Sequence, residues 1–245
     1  MMENLEWTIG RVLQWGESYL KKYSPTPRLD IELLLAHALR VGRLELYLDY
    51  YRPLTKNELE TLRGFVLRRL RQEPIAYITG IKEFWSLEFR VNKSTLIPRP
   101  ETELLIETAV HLLKKDGQKN GASGKVVTGE RQIRILDLGT GCGNLPIALS
   151  KEFPSSTIVS IDICQDALRI AKENVWALAR EKRIYFIRGD FFQSLRSDDL
   201  RSHFQLVVSN PPYVPNDELA SLPPSVKDYE PRKALDGGLA GLDYI

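Results

Sequence analysis

From Leu5 to about residue 71 the apolar positions recur at helical spacing. Leu5, Ile9, Val12, Leu13 and Leu20 form one stripe, and Ile31, Leu34, Leu35, Ala38 and Leu39 form a second. This first third of the chain therefore reads as helices alone. Its boundaries carry their own signals. Thr26-Pro27 offers a hydroxyl cap followed by proline at a first helical position. Thr55 and Glu58 are spaced as a capping box, with Leu54 and Leu59 at staple spacing and Pro74 as the stop, which predicts a helix over 56–72.

The period then changes from helical to alternating. Trp85, Leu87, Phe89 and Val91 alternate with Ser86, Glu88 and Arg90, and Asn92-Lys93-Ser94 supplies turn residues before Thr95-Leu96-Ile97. A β-hairpin turning at 92–94 is the simplest reading. It would act as a connector over residues 81–100, between a helical domain over 1–80 and a larger domain over 101–245. After Pro98 and Pro100 a helix is expected over 101–115.

Residues 116–131 hold four glycines and almost no apolar side chain, too little buried surface to offset the entropy of ordering, and read as a mobile surface insertion. Beyond it short apolar strands are expected at 133–138, 157–161, 184–187 and 206–208, alternating with helical stretches. That grammar predicts an α/β domain with a parallel, doubly wound sheet.

Composition narrows the possibilities. The chain has 245 residues, enough for two domains, and its 43% hydrophobic and 27% charged content is that of an ordinary globular protein. A net charge of +2 argues against a large basic face for sequence-blind nucleic-acid binding. Two cysteines are too few for a disulfide framework or a structural zinc site, which points to a reducing, cytoplasmic setting and no metal. No run approaches eighteen apolar residues, so no membrane span is expected.

The chemistry gathers at strand ends. The first strand of the α/β part runs into Asp137-Leu138-Gly139-Thr140-Gly141-Cys142-Gly143-Asn144 at the start of a helix. Glycines there let the backbone approach a ligand, and the helix N-terminus supplies free N–H donors. The spacing is G-x-G-x-G and departs from the dinucleotide fingerprint G-x-G-x-x-G. The second strand ends at Asp162, placed to accept hydrogen bonds from both hydroxyls of a ribose, or else to cap the next helix. The third ends at Gly189-Asp190-Phe191, a carboxylate for an adenine amino group beside an aromatic face, though Phe191 also reads as plain core. An adenosine-type ligand is implied.

The fourth strand ends in Ser209-Asn210-Pro211-Pro212-Tyr213. Two prolines fix the backbone and hold Asn210 rigid beside carbonyl acceptors. The Asn210 side-chain oxygen and the Pro211 carbonyl can each take one hydrogen of a planar NH₂ group, with Tyr213 closing a face. Such a pair aims a weakly nucleophilic nitrogen at an electrophile and stabilises the positive charge that develops on it.

These segments resemble a known family. Asp137 to Gly143 is similar to the first S-adenosylmethionine motif of class I methyltransferases, and Asn210-Pro211-Pro212-Tyr213 to the signature of those that methylate a planar nitrogen. With Glu73-Pro74-Ile75-Ala76-Tyr77-Ile78-Thr79-Gly80, Phe84-Trp85, Ile97-Pro98-Arg99-Pro100-Glu101-Thr102-Glu103, Tyr229-Glu230-Pro231 and Ala234-Leu235-Asp236-Gly237-Gly238, they resemble the HemK family of peptide chain release factor glutamine methyltransferases. The resemblance covers nearly the whole chain.

It implies a small helical domain that grips class I release factors, a hairpin connector and a Rossmann-like methyltransferase domain. The substrate would be the glutamine of the Gly-Gly-Gln motif, methylated on its side-chain nitrogen, with S-adenosyl-L-homocysteine as the other product. Methionine and ribose contacts fall on Gly139, Thr140, Gly141, Cys142, Gly143 and Asp162, adenine contacts on Asp190 and Phe191, and the glutamine amide on Asn210, Pro211, Pro212 and Tyr213. Arg99, Glu101 and Glu103 would shape the mouth of the site, unless they only start a helix with acids at its dipole.

The family's sheet continues for three strands beyond the Asn-Pro-Pro-Tyr strand, so a C-terminally incomplete sheet is expected here. Two other readings stay open: an adenine N6-methyltransferase of nucleic acid, which would need a flipped base and a basic groove, and an inactive binding module. His37, His111 and His203 lack metal spacing, and Cys142 reads as a small spacer. Arg63, Arg68, Arg69 and Arg71 read as a solvated basic stripe.

Overall fold

The computed structural model describes residues 6–119, 132–180, 182–191 and 204–244, with side chains left undescribed at 114–119. The chain divides into two compact units. One holds residues 1–80 together with Pro224–Tyr229, and the other holds 81–223 together with Glu230–Ile245. Most of the expected insertion at 116–131 lies outside the described residues, as does His203.

The first unit is helical: α1 (Ile9–Leu20), α2 (Pro27–Leu39), α3 (Glu45–Leu48), α4 (Lys56–Leu70) and α5 (Ile75–Thr79). Its core is the apolar stripe read from the sequence. Leu13, Leu20, Ile31, Leu34, Leu35 and Leu46 have no solvent exposure, and Leu62, Val66 and Ile78 complete the cluster. The capping box opens α4: Thr55 Oγ1 accepts from Glu58 N, and Glu58 Oε2 accepts from Thr55 N at 2.7 Å. The staple residues Leu54 and Leu59 both join the core.

Two sequence expectations change here. Thr26 does not cap α2, because its backbone is not extended; its hydroxyl lies 3.1 Å from Asp30 Oδ1 instead. Nor are the four arginines a uniformly solvated stripe. Arg69 is buried against Asp30 at 2.6 Å, and Arg68 forks onto both oxygens of Glu73 at 2.6 and 2.8 Å. A carboxylate on the facing element converts a surface charge into a buried pair, and that partner was out of sight in the local pattern. Arg63 and Arg71 remain exposed.

The second unit opens with the antiparallel pair β1 (Ile81–Phe84) and β2 (Leu87–Arg90), in register Phe84 to Leu87. The hairpin turns at Trp85-Ser86, not at 92–94. Both turn residues have positive φ, 52° and 56°, which matches the right-handed twist of a two-residue hairpin. Tryptophan and serine do not advertise that conformation, so the strain at Trp85 needs compensation. Its N–H donates to Glu103 Oε1 at 2.8 Å and its indole N–H to Glu152 at 3.1 Å. Asn92-Lys93-Ser94 instead forms a separate turn, closed by Thr95 N donating to Asn92 O.

A short turn of 3₁₀ helix at Pro100–Thr102 precedes α6 (Glu103–Lys119). The remainder alternates β3 (Arg134–Leu138), α7 (Asn144–Glu152), β4 (Thr157–Asp162), α8 (Gln165–Leu178), β5 (Arg183–Arg188) and β6 (Leu206–Ser209). The four strands make one parallel sheet in the order β5-β4-β3-β6. The central strands β3 and β4 read as continuous apolar runs because both their faces are covered; Ile135, Ile158 and Ile161 are at most 1% exposed. The walk along the sheet runs from β3 through β4 to β5 and then reverses to β6 on the other side of β3, so the carboxyl ends of β3 and β6 form the topological switch at which α/β proteins hold ligands.

Candidate active site

All the strand-end residues singled out from the sequence lie in the second unit. A cavity of about 790 Å³, within the range of small-molecule sites, opens there. Its lining includes Gly139, Thr140, Gly141 and Cys142 from the glycine loop, Asp162, Asp190 and Phe191 from the next two strand ends, and Asn210 and Pro212.

The glycine loop is held in a shape few other residues could take. Gly139, Gly141 and Gly143 have φ of 75°, 56° and 83°. At Gly143, the cap of α7, a Cβ would also press on Ala171 of α8 at 3.2 Å, so both conformation and packing require glycine. Gly139 N and Thr140 N donate to Ile161 O, which pins the loop to the end of β4.

Asp162 joins loop and helix. Its Oδ2 accepts from Gly141 N and its Oδ1 from Cys164 N, each at 2.8 Å. The contact to Cys164 N closes a turn just ahead of α8 and does not cap it, because Cys164 is itself the N-cap and no side chain caps the first turn; each carboxylate oxygen keeps a lone pair for a ribose hydroxyl. Burial pushes its pKa up, against the two N–H donors that draw it down.

Asp137 behaves differently. It is fully buried one step before the loop, and neither of its oxygens reaches a partner in hydrogen-bonding geometry. Burial outweighs the nearby Thr140 and Ser160 hydroxyls and pushes its pKa up to about 7. The Cys142 thiol is likewise pushed up to about 12 by burial, so it is a protonated spacer and not a nucleophile.

Phe191 takes a strained φ of 29°, with its ring beside Gly139 and 5.1 Å from the ring of Tyr244. Its ring borders the cavity and also packs against the buried cluster of Leu136, Leu138 and Ile161, so both readings of this residue hold.

Asn210 sits at the carboxyl end of β6. Its Nδ2 donates to Thr102 Oγ1 at 3.3 Å. The backbone that follows is gripped by the loop over residues 235–241: Val214 N donates to Leu235 O, and Gly237 N to Val214 O, both at 2.9 Å. That loop passes so close that a Cβ at Gly241 would lie 2.4 Å from Tyr213 O. Tyr213 itself is 58% exposed and, with Pro211 and Gly143, stands outside the cavity lining.

Arg99 and Glu103 also stand outside it, because each is already engaged. The Arg99 guanidinium donates to Glu230, a buried carboxylate that also accepts from Ile97 N, and Glu103 accepts from Trp85 N. These charges fix the 97–103 segment, and its neighbours Ser94, Leu96, Pro98 and Thr102 supply the wall. The sequence reading passed over Thr102, Glu230 and Asn174 as individual residues. Thr102 and Glu230 lay within quoted segments, but nothing local says which partner each would meet.

These glycines, the ribose-side carboxylate and the rigid Asn-Pro-Pro-Tyr corner fit S-adenosylmethionine: the cradle is backbone, and open space lies where a Cβ at Gly141 would point. Two family models match the chain, the PrmC N-terminal domain over residues 11–80 and the methyltransferase small domain over residues 122–221. A release factor glutamine methyltransferase of Geobacter sulfurreducens is 38% identical over 97% of this chain and 76% of its own length. The chain belongs to the release factor glutamine methyltransferase family. Members from Chlorobaculum tepidum and Coxiella burnetii are 39% and 41% identical, over 96% and 92% of this chain and 77% and 74% of theirs. The release factor glutamine methyltransferase family is S-adenosylmethionine-dependent, and the chain spans about three quarters of the length of these members. Among solved structures, the hMettl16 catalytic domain in complex with an RNA hairpin overlaps 72% of this chain and 59% of its own at 16% identity and a TM-score of 0.47. Among the described residues no helix is long and apolar enough to cross a membrane, and no cluster of side chains is arranged to hold a metal ion.

Proposed function

We propose that this protein transfers a methyl group from S-adenosylmethionine to the side-chain amide nitrogen of the glutamine in the Gly-Gly-Gln motif of class I release factors. The observation that carries the reading is that Asn210 and the glycine loop with Asp162 line one cavity. An amide acceptor and an adenosine cradle are thereby brought to the same space.

When bound, S-adenosylmethionine supplies an electrophilic methyl group on a sulfonium. Gly139 to Gly143 receive its methionine end, Asp162 its ribose hydroxyls, and Asp190 with Phe191 its adenine. Asn210 Oδ1 and the Pro211 carbonyl each accept one hydrogen of the glutamine NH₂. Holding both hydrogens turns the nitrogen toward the methyl group and offsets the positive charge that grows on it. The methylated amide is then strongly acidic and loses its extra proton to water, so no buried general base is needed. Pro212 and Tyr213 keep the corner rigid and flank the amide.

The helical unit over residues 1–80 is the part we assign to gripping the release factor. A protein substrate in place of a nucleic acid fits the net charge of +2, far from the basic excess expected of an enzyme that flips a base out of a nucleic acid. We place the enzyme in the cytoplasm, where release factors act.

The test is mass spectrometry of an unmodified class I release factor after incubation with this protein and S-adenosylmethionine. One methyl group gained on the Gly-Gly-Gln peptide, and lost with Asn210→Ala, is expected. No gain with the unaltered protein overturns the assignment.

A further inference from the structure

We infer that Thr102 is a positioning residue for methyl transfer: its hydroxyl selects which end of the Asn210 amide faces the substrate. The inference rests on the function proposed above and adds a residue to it.

A primary amide is nearly symmetric in shape and opposite in chemistry at its two ends, one an acceptor and the other a double donor. A half-turn about the Asn210 side chain would present NH₂ to the substrate's NH₂, and donor would meet donor. The Pro-Pro corner fixes the backbone of this residue but leaves that half-turn open. What closes it is the contact from Asn210 Nδ2 to Thr102 Oγ1 at 3.3 Å. With the amide nitrogen engaged there, Oδ1 is left as the acceptor on the cavity side, and it has no protein partner among the described residues.

Thr102 is itself built in. Its side chain is buried, 7% exposed, and it ends the 3₁₀ turn at Pro100–Thr102, with its N–H donating to Arg99 O at 3.1 Å. The flanking residues are tied down on both sides. Arg99 pairs with buried Glu230, and Glu103 accepts from Trp85 N in the strained hairpin turn. Two independent anchors on either side of one threonine, pointing it at one amide, are more than a helix start requires. They also account for the charges of Arg99 and Glu103, which hold the wall and are absent from the cavity lining.

Thr102→Val keeps the shape and removes the acceptor, and Thr102→Ser keeps the hydroxyl. Single-turnover and steady-state methylation of a class I release factor would be measured for both, with S-adenosylmethionine affinity measured alongside. The expected result is a fall in kcat of about tenfold or more for Thr102→Val. Its S-adenosylmethionine Kd should stay within about twofold of the parent, and Thr102→Ser should recover most of the rate. Parental kcat in Thr102→Val, or a serine variant as slow as the valine variant, would each overturn the inference. An unaltered protein that transfers no methyl group would overturn the proposed function and this inference with it, whereas an active parent with an active Thr102→Val variant overturns the inference alone.

Discussion

The side-chain nitrogen of Asn174 donates to the carbonyl of Cys142 at 2.8 Å, so a residue in the middle of α8 holds the glycine loop from behind. The same side chain also pairs with Arg90 of the hairpin, accepting from its N–H at 2.8 Å and donating to its carbonyl at 3.0 Å. Asn174 is 1% exposed and thus ties the hairpin, α8 and the loop within one unit. These bonds hold the hairpin at 81–90 within the same compact unit as α8 and the loop.

Replacing Asn174 by leucine leaves an N–H and two carbonyls without their partner. Each unsatisfied buried group costs about 1–3 kcal/mol. Asn174→Leu should therefore lower the melting temperature of this unit by several degrees and weaken S-adenosylmethionine binding together with it, as measured by calorimetry of both events. An unchanged melting temperature would show that the loop is held without it.

Asp162 should matter for the ligand more than for the fold. Asp162→Ala removes the acceptor for Gly141 N and Cys164 N and the proposed ribose contact. A loss in S-adenosylmethionine affinity of about tenfold or more, equivalent to ~1.4 kcal/mol per factor of ten, is expected by isothermal titration. Asp162→Asn keeps one oxygen and should fall between the two.

The buried carboxyl of Asp137 gives a pH dependence with a definite sign. Its folded pKa, pushed up to about 7, lies above the ordinary carboxylate value, so the fold prefers the protonated form. The stability it contributes is fully present below the ordinary value and is lost as pH rises through 7. Asp137→Asn should flatten the decline in unfolding free energy between pH 4 and pH 8 in ligand-free protein, measured by denaturant titration. A decline as steep as the parent's would contradict the assignment.

In the helical unit, the Arg69 pair with Asp30 at 2.6 Å is shielded from water on both sides. Breaking such a pair by removing one partner costs about 3–5 kcal/mol, because the other charge stays buried. Asp30→Ala should destabilise this unit by that order in thermal melts while leaving S-adenosylmethionine affinity unchanged. A loss of ligand affinity would mean that the pair does more than hold the helices.

What the sequence made legible was local or periodic. The capping box at Thr55, the helical stripe of the first unit, the four parallel strands and the gathering of the residues at their ends around one cavity all follow from spacing and turn residues. The hairpin turn was misplaced because Asn92-Lys93-Ser94 has the usual turn composition, whereas Trp85-Ser86 adopts positive φ only with help from Glu103 and Glu152, distant in sequence. Arg69 was misread, and the partners of Arg99 and Glu103 were missed, for a related reason. A charge looks the same in sequence whether it faces a substrate, water or a buried counter-charge, and only the fold brings Glu230, Trp85 and Asp30 alongside. Thr102 could be read as part of a segment but not as a partner of Asn210, 108 positions away.

The most direct test of the account is methyl transfer from radiolabelled S-adenosylmethionine to two release factors. One would carry an intact Gly-Gly-Gln motif, and the other a glutamate in place of the glutamine, which removes the NH₂ that Asn210 and Pro211 would hold. Label entering the first and not the second is the predicted result. Equal labelling of both, or of neither, would contradict it.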